Sequence, residues 1–185
     1  MSLSAEHAAQ ALSFGAGAVE YEKGRPSYPE EAVDWLLPAG AHRVLDLGAG
    51  TGKLTQRLVE RGLEVVAVEP SDGMREQLVQ AVPGVCALAG SAESIPLEDG
   101  AVEVVLVAQA WHWVDVEQAV PEVGRVLTDR GRLGLIWNIG DEREDWVAQL
   151  KHLMRQGTEQ DLGSEDPRVG HPFGPVERLD VEWRY

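Results

Sequence analysis

One cysteine, Cys86, stands in 185 residues, so no disulfide can form within the chain. That fits a reducing compartment, and a lone thiol inside an apolar stretch reads as a buried structural group rather than a nucleophile. No apolar run approaches the roughly 20 residues of a membrane span. Basic residues are scarce: 16 Lys and Arg face 31 Asp and Glu, for a formal net charge of −15. A chain this acidic repels a phosphate backbone, and no compact Lys/Arg patch offsets it, so DNA and RNA are disfavoured as substrates. The first basic residue is Lys23, so the start lacks the charged segment of a secretory signal. These absences together predict a cytoplasmic protein without membrane contact. His7, His42, His152 and His171 lack ligand-like spacing, and no internal repeat is visible.

What remains is one domain's worth of chain, 44% hydrophobic, with strand and helix patterns in alternation. Pro29 opens a helix to about Leu37. Strands are predicted at Arg43–Leu47, Glu64–Glu69, Val85–Ala89, Val102–Ala108 and Arg132–Asn138. Helices are predicted at 53–61, 72–81, 116–127 and 142–156. Pro121 and Gly124 inside the third of these imply a kink. Gly90–Ala101 is expected to be mostly loop, and residues 157–175 a polar loop. Val176, Leu179, Val181, Trp183 and Tyr185 alternate well enough for a sixth strand. Strands alternating with helices imply an α/β fold with a doubly wound, mostly parallel sheet, and ligands at the C-terminal strand ends.

The chemistry concentrates at Val44-Leu45-Asp46-Leu47-Gly48-Ala49-Gly50-Thr51-Gly52. An apolar strand ends in an acid and glycines at alternate positions, then a helix begins. A dinucleotide loop starting at Gly48 would need glycine at position 53, where Lys53 stands. That glycine lets a helix approach a pyrophosphate, so its absence favours an adenosine ligand without phosphates. Glu69 lies 21 positions beyond Gly48, placed to accept hydrogen bonds from ribose hydroxyls. Asp46 would repel a pyrophosphate but favours a cationic amino or sulfonium group.

With these motifs the chain resembles a class I S-adenosylmethionine-dependent methyltransferase, a Rossmann-like fold. It is most similar to the type-11 small-molecule group that includes ubiquinone-biosynthesis and trans-aconitate methyltransferases. The glycine run resembles the first motif, and Val65-Val66-Ala67-Val68-Glu69-Pro70-Ser71 the ribose-holding strand. Gly90-Ser91-Ala92-Glu93-Ser94-Ile95-Pro96-Leu97 resembles the adenine segment. Ser91 stands where aspartate is frequent, a weaker hydrogen-bonding group than a carboxylate. Glu122-Val123-Gly124-Arg125-Val126-Leu127 and Gly131-Arg132-Leu133 resemble the helix and turn before strand five. Tyr21 to Pro29 resembles a segment that closes over the cofactor.

The resemblance implies S-adenosylmethionine as cofactor. It would be held by Tyr21, Arg25, Asp46, Gly48, Ala49, Gly50, Gly52, Glu69, Pro70, Met74, Ser91, Ala92, Glu93 and Gln109. A single domain 1–185 would comprise a cofactor-capping segment (1–40), a cofactor-binding core (41–140) and an incomplete C-terminal part (141–185). The fold would lack its final strand. Strand six would then be unpaired, and pairing through it, as a dimer or within a monomer, is an expectation.

Gln109-Ala110-Trp111-His112-Trp113 follows strand four, beside the reactive methyl in this fold. It lacks the Asn/Asp-Pro-Pro-Tyr/Phe pattern of nucleic-acid amino methylation. Trp111, His112 and Asn138 are the candidate substrate residues. His112 is either a general base or a residue fixing its loop. One of Trp111 and Trp113 would line the pocket while the other fills core. Asp115 reads as a helix cap and Glu142 as an acid at a helix start, so no metal is expected. The expected activity is methyl transfer to a small organic acceptor. A catalytically weak cofactor-binding module is the alternative.

Overall fold

A computed structural model describes residues 27–155 and 167–183. The elements are α1 (Glu30–Leu36), β1 (Arg43–Leu47), α2 (Lys53–Val59), β2 (Glu64–Val68), α3 (Asp72–Ala81) and β3 (Cys86–Leu88). There follow β4 (Val102–Ala108), a 3-10 turn at Trp111–Trp113, α4 (Val116–Val126), β5 (Leu127–Ile136) and α5 (Asp145–Arg155). The sheet order is β3-β2-β1-β4-β5, and all four pairings are parallel. Chain direction along the sheet reverses between β1 and β4. A crevice outside the strand ends at that switch is where such sheets bind ligands.

Two-residue alternation sorts the strand side chains onto two faces. Val44, Val65, Val104 and Leu106 meet α1 and α2 through Val33, Leu36, Leu54 and Leu58. Leu45, Leu47, Val105 and Val107 meet Ala119, Val120 and Val123 of α4. Ala92 and Ile95 of the β3–β4 connection join that second face. Both faces are covered, which is why β1 and β4 read as nearly continuous apolar runs. By the same alternation Asp46 falls on the α2 face, among apolar neighbours.

Several expectations are corrected. β5 begins at Leu127 rather than Arg132, because Leu127 is itself buried and pairs with Val102. The ladder then breaks: Val104 pairs with Arg132, so 128–131 bulge out of the strand. A Cβ on Gly131 would meet the Leu127 Cβ at 2.9 Å, so this bulge needs a glycine. Residues 176–183 form no strand despite their alternation, and 184–185 lie outside the described residues. Val176 and Leu179 remain exposed, so the pattern buries no face. The ladder on which pairing with another chain was expected to rest is therefore not formed among the described residues.

Cys86 is exposed, not buried. It lies on the edge strand, where Ala87 turns toward α3 and Leu88 is covered by the second core. Cys86 precedes that cover. α4 runs from Val116 to Val126 through Pro121, and Gly124 answers to packing: a Cβ there would meet Pro172 Cγ at 2.9 Å. Asp115 caps α4 as expected, accepting from the Glu117 amide at 3.1 Å. No helix among the described residues is long and apolar enough to cross a membrane.

The centre of the sheet supplies a stability test. Leu106 is fully buried, and a Cβ on Gly134 would lie 2.6 Å from its Cδ2. Leu106→Ala is expected to cost about 2–5 kcal/mol in urea unfolding. Gly134→Ala alone is expected to destabilise by overpacking, about 1–3 kcal/mol. The double variant should lose clearly less than the sum, because the new methyl enters the vacated space. Strict additivity would contradict this packing.

Candidate active site

The glycine run forms the turn from β1 to α2. Gly48, Gly50 and Gly52 have φ of 71°, 57° and 93°, a region L-residues rarely adopt. The turn is pinned to the end of β2. The Gly48 and Ala49 amides donate to the Val68 carbonyl at 2.8 and 3.1 Å. The Gly50 amide donates to Glu69 Oε2 at 2.9 Å, and the Ser71 amide to Glu69 Oε1 at 2.9 Å. A carboxylate offers about four acceptor sites, so Glu69 keeps capacity for two further donors. It is buried, and burial raises its pKa against the opposing pull of the Ser71 and Gly50 amides and Arg75. Arg75 also donates to the carbonyls of Glu69 and Pro70, at 2.6 and 3.0 Å.

Asp46 is fully buried at the end of β1. The Thr55 hydroxyl of α2 donates to its Oδ2 at 2.6 Å. Its Oδ1 is buried with no partner among the described residues. Burial pushes the carboxyl up to about 7, helped by the charge of Glu69 and opposed by Thr55. A buried acceptor left unmade costs about 1–3 kcal/mol, more when charged. A donor arriving with a ligand removes that cost, and a cation removes more of it.

On the opposite wall Gln109 follows β4, with a φ of 57° that is unusual for a non-glycine residue. Its amide bonds the Ile136 carbonyl at 2.9 Å, tying the turn to β5. Ala110 follows, and a Cβ on Gly48 would meet the Ala110 Cβ at 2.9 Å. The two walls of the crevice therefore approach at Gly48 and Ala110. Beyond Gln109 an open cleft is lined by Trp111, His112, Trp137, Asn138, Phe173 and Trp183.

The sequence-predicted residues distribute as follows. Asp46, Gly48, Ala49, Gly50, Gly52 and Glu69 gather at one turn. Met74 is buried below it, its sulfur 4.0 Å from where a Gly50 Cβ would sit, while Pro70 is exposed. Ser91 and Ser94 close a small turn that carries the buried Ala92. Glu93 Oε1 accepts from the Asp115 amide at 2.8 Å. Tyr21 and Arg25 lie outside the described residues. Trp111 fills core and also edges the cleft, with its indole nitrogen buried and unbonded among the described residues. His112 is half-buried, its ring centroid 4.7 Å from that of Trp113.

Asn138 is already occupied. Its Nδ2 donates to the Ser27 carbonyl at 3.1 Å and its Oδ1 accepts from Trp183 Nε1 at 3.2 Å. Its carbonyl also accepts from Gln109 Nε2 at 3.4 Å. It ties three segments together at the cleft. Thr55, which the sequence reading passed over, holds Asp46. The available signal was a polar residue on the apolar Leu54–Leu58 face of α2. Among the described residues no three His, Cys, Asp or Glu side chains are grouped to hold a metal. Asp141 instead pairs with Arg143 at 2.6 Å.

Residues 45–135 match a family described as a methyltransferase domain. An uncharacterized methyltransferase of Mycobacterium bovis is 58% identical over 172 residues, which cover 93% of this chain and 70% of that protein. An uncharacterized methyltransferase of Schizosaccharomyces pombe is 38% identical over 149 residues, 78% of this chain and 59% of that one. Among solved structures, an S-adenosylmethionine-dependent methyltransferase of Thermotoga maritima is 30% identical with a TM-score of 0.58, covering 77% of this chain and 68% of its own. Geranyl diphosphate C-methyltransferase of Streptomyces coelicolor, solved with S-adenosyl-L-homocysteine, shares the fold at 22% identity and a TM-score of 0.52, over 68% of this chain and 52% of its own. Sequence, fold and the glycine turn agree: the chain belongs to the class I S-adenosylmethionine-dependent methyltransferases of the type-11 group, and S-adenosylmethionine is its cofactor.

Proposed function

We propose that this enzyme methylates a small organic acceptor held in the cleft beyond Gln109, with the cofactor seated across the turn of β1 and α2. The observation that carries the reading is the buried, unmatched Oδ1 of Asp46 beside a glycine turn braced by Glu69. Such an oxygen suits a cationic ligand group, and the free acceptor sites of Glu69 suit vicinal hydroxyls. The turn glycines let the ligand approach the backbone, where the close Ala110 leaves no room for a side chain on Gly48.

When bound, the cofactor supplies a sulfonium-activated methyl with its own leaving group. The chain's part is then alignment and exclusion of water. Gln109 and Ala110 form the partition between cofactor turn and cleft. Trp111, Trp137 and Phe173 give the cleft an aromatic lining, which suits an acceptor of modest size with apolar surface. His112 stands on that lining, and its role is either to take a proton from an acceptor hydroxyl or amine or to hold the turn. Ser91 and Ala92 are the groups for the adenine, and Met74 packs beneath the turn.

The net charge of −15 supports an acceptor other than nucleic acid, and one exposed cysteine without a partner supports a cytoplasmic setting. The division into a capping segment (1–40), a cofactor core (41–140) and a C-terminal part (141–185) is part of the same reading.

Titration with S-adenosylhomocysteine tests the site directly. Glu69→Gln would put an amide NH2 against the Gly50 or Ser71 N–H. It is expected to weaken S-adenosylhomocysteine by about 10- to 100-fold, the loss of charged hydrogen bonds. Unchanged affinity would remove Glu69 from the site.

Asp46 gives the pH dependence. Its folded pKa of about 7 lies above the usual carboxylate value. The empty protein therefore loses stability through this group as pH rises from about 4 to about 7, since the folded state binds the extra proton. A cationic ligand requires the ionised form, so binding below pH 7 releases that proton. S-adenosylhomocysteine affinity should rise from pH 5.5 to 7 with a slope approaching about one decade per unit. Asp46→Asn should flatten the slope and bind weakly throughout. A wild-type profile that is flat over this range would contradict the role.

A further inference from the structure

The segment Ser91–Leu97 is short of regular structure, yet in the proposed site it presents Ser91 and Ala92 to the adenine. What fixes it is a pair of residues on α4. Arg125 donates from Nη1 to the Leu97 carbonyl at 2.8 Å and to Asp99 Oδ1 at 2.9 Å. From Nη2 it donates to the Ile95 carbonyl at 3.0 Å and to Glu122 Oε2 at 2.8 Å, and from Nε to Glu122 Oε1 at 2.8 Å. Glu122 Oε2 accepts in turn from the Ile95 amide at 3.0 Å. The Gly100 amide donates to the Arg125 carbonyl at 2.9 Å.

The guanidinium therefore uses its rigid fork on two backbone carbonyls and two carboxylates at once, a job lysine cannot duplicate. Both backbone groups of Ile95, amide and carbonyl, end on this one ion pair. Ile95 is buried under α4, and the Ser91–Ser94 turn immediately precedes it. Glu93 adds a third stake through the Asp115 amide. A residue fixed at both backbone groups transmits little freedom to the turn before it. The turn's amides and hydroxyl are consequently held at set positions, as reading a purine edge by hydrogen bonds requires.

We propose that Arg125 and Glu122 are positioning residues for recognition of the cofactor's base: they hold the Ser91–Leu97 segment so that it discriminates adenine from other purines. This rests on the proposed cofactor site. Neither residue touches the ligand, so the readout must be discrimination rather than activity. S-adenosylhomocysteine and S-inosylhomocysteine differ only at the base, an exocyclic amino group against an oxo group. Each is titrated calorimetrically into the 185-residue wild type and into Arg125→Ala, Arg125→Lys and Glu122→Gln, below every variant's melting temperature.

The wild type is expected to prefer S-adenosylhomocysteine by about tenfold or more. Arg125→Ala should weaken S-adenosylhomocysteine about tenfold and S-inosylhomocysteine less than about threefold, collapsing the preference. Glu122→Gln should reduce it in the same direction, and decides the matter if Arg125→Ala does not fold. Arg125→Lys should recover only part. A preference kept intact in Arg125→Ala or, failing its folding, in Glu122→Gln overturns the proposal, even where both ligands bind more weakly or the protein melts earlier. A wild type that binds both purines equally overturns it too. A wild type that binds neither ligand overturns instead the cofactor site on which it rests.

Discussion

The attachment of the β1–α2 turn to the end of β2 is the constraint from which the rest of the site follows. Val68 offers one carbonyl to two successive amides of the turn, and Glu69 accepts a third. The turn is thus an extension of the sheet, not a loop laid over it. Its left-handed glycines are held between the end of β2 on one side and the start of α2, whose Gln56 amide donates to the Gly52 carbonyl, on the other. The same register that pairs Asp46 with Ala67 and Leu47 with Val68 sends the Asp46 side chain into the α2 face, where Thr55 meets it. Movement of the turn would therefore break its bonds to Val68 and Glu69, so the proposed site is a preformed surface. Preformed donors and acceptors avoid reorganisation when the ligand arrives.

The parts of the fold legible in the chain are those with strong local signals. β1, α3 and β4 begin and end where apolar runs and turn residues place them. Legibility fails where a pattern needs a partner. The alternation over 176–183 is real, but a strand exists only against another strand, and these residues instead make single contacts such as Trp183 to Asn138 and Glu182 to Arg143. The early start of β5 was hidden by Asp129-Arg130-Gly131, which reads as a turn between elements. It is a bulge inside one, because Leu127 gains burial by joining the ladder first. Cys86 shows the converse: an apolar neighbourhood in sequence does not bury a residue on an edge strand.

The candidate site divides in the same way. Asp46, the glycines and Glu69 were readable because consecutive strands bring them together at fixed spacing. Thr55, Glu122 and Arg125 act through contacts that no spacing announces. Arg125 reaches Leu97 across 28 positions, and only the packing of α4 over the connection makes that possible. Asn138 was readable as a polar residue at a strand end, but its partners Ser27 and Trp183 come from distant segments. Its amide joins those segments at the cleft.

Two buried carboxylates near one another also bear on which adenosine ligands the proposed site would accept. The charge on Glu69 raises the pKa of Asp46, and burial raises both. An anionic pyrophosphate placed over the turn would add a further negative charge to a region that already disfavours two. A ligand bearing an ammonium and a sulfonium does the reverse, since each cation stabilises the ionised acids and the buried Oδ1 gains a donor. The helix that follows begins with Lys53 where a dinucleotide turn would need glycine for close approach. On the proposed reading, backbone access at the turn and the two buried acids act against the same class of ligand. The buried Oδ1 of Asp46, the charge of Glu69 and Lys53 at the start of α2 are thus the features on which the proposed preference for a phosphate-free, cationic adenosine ligand rests.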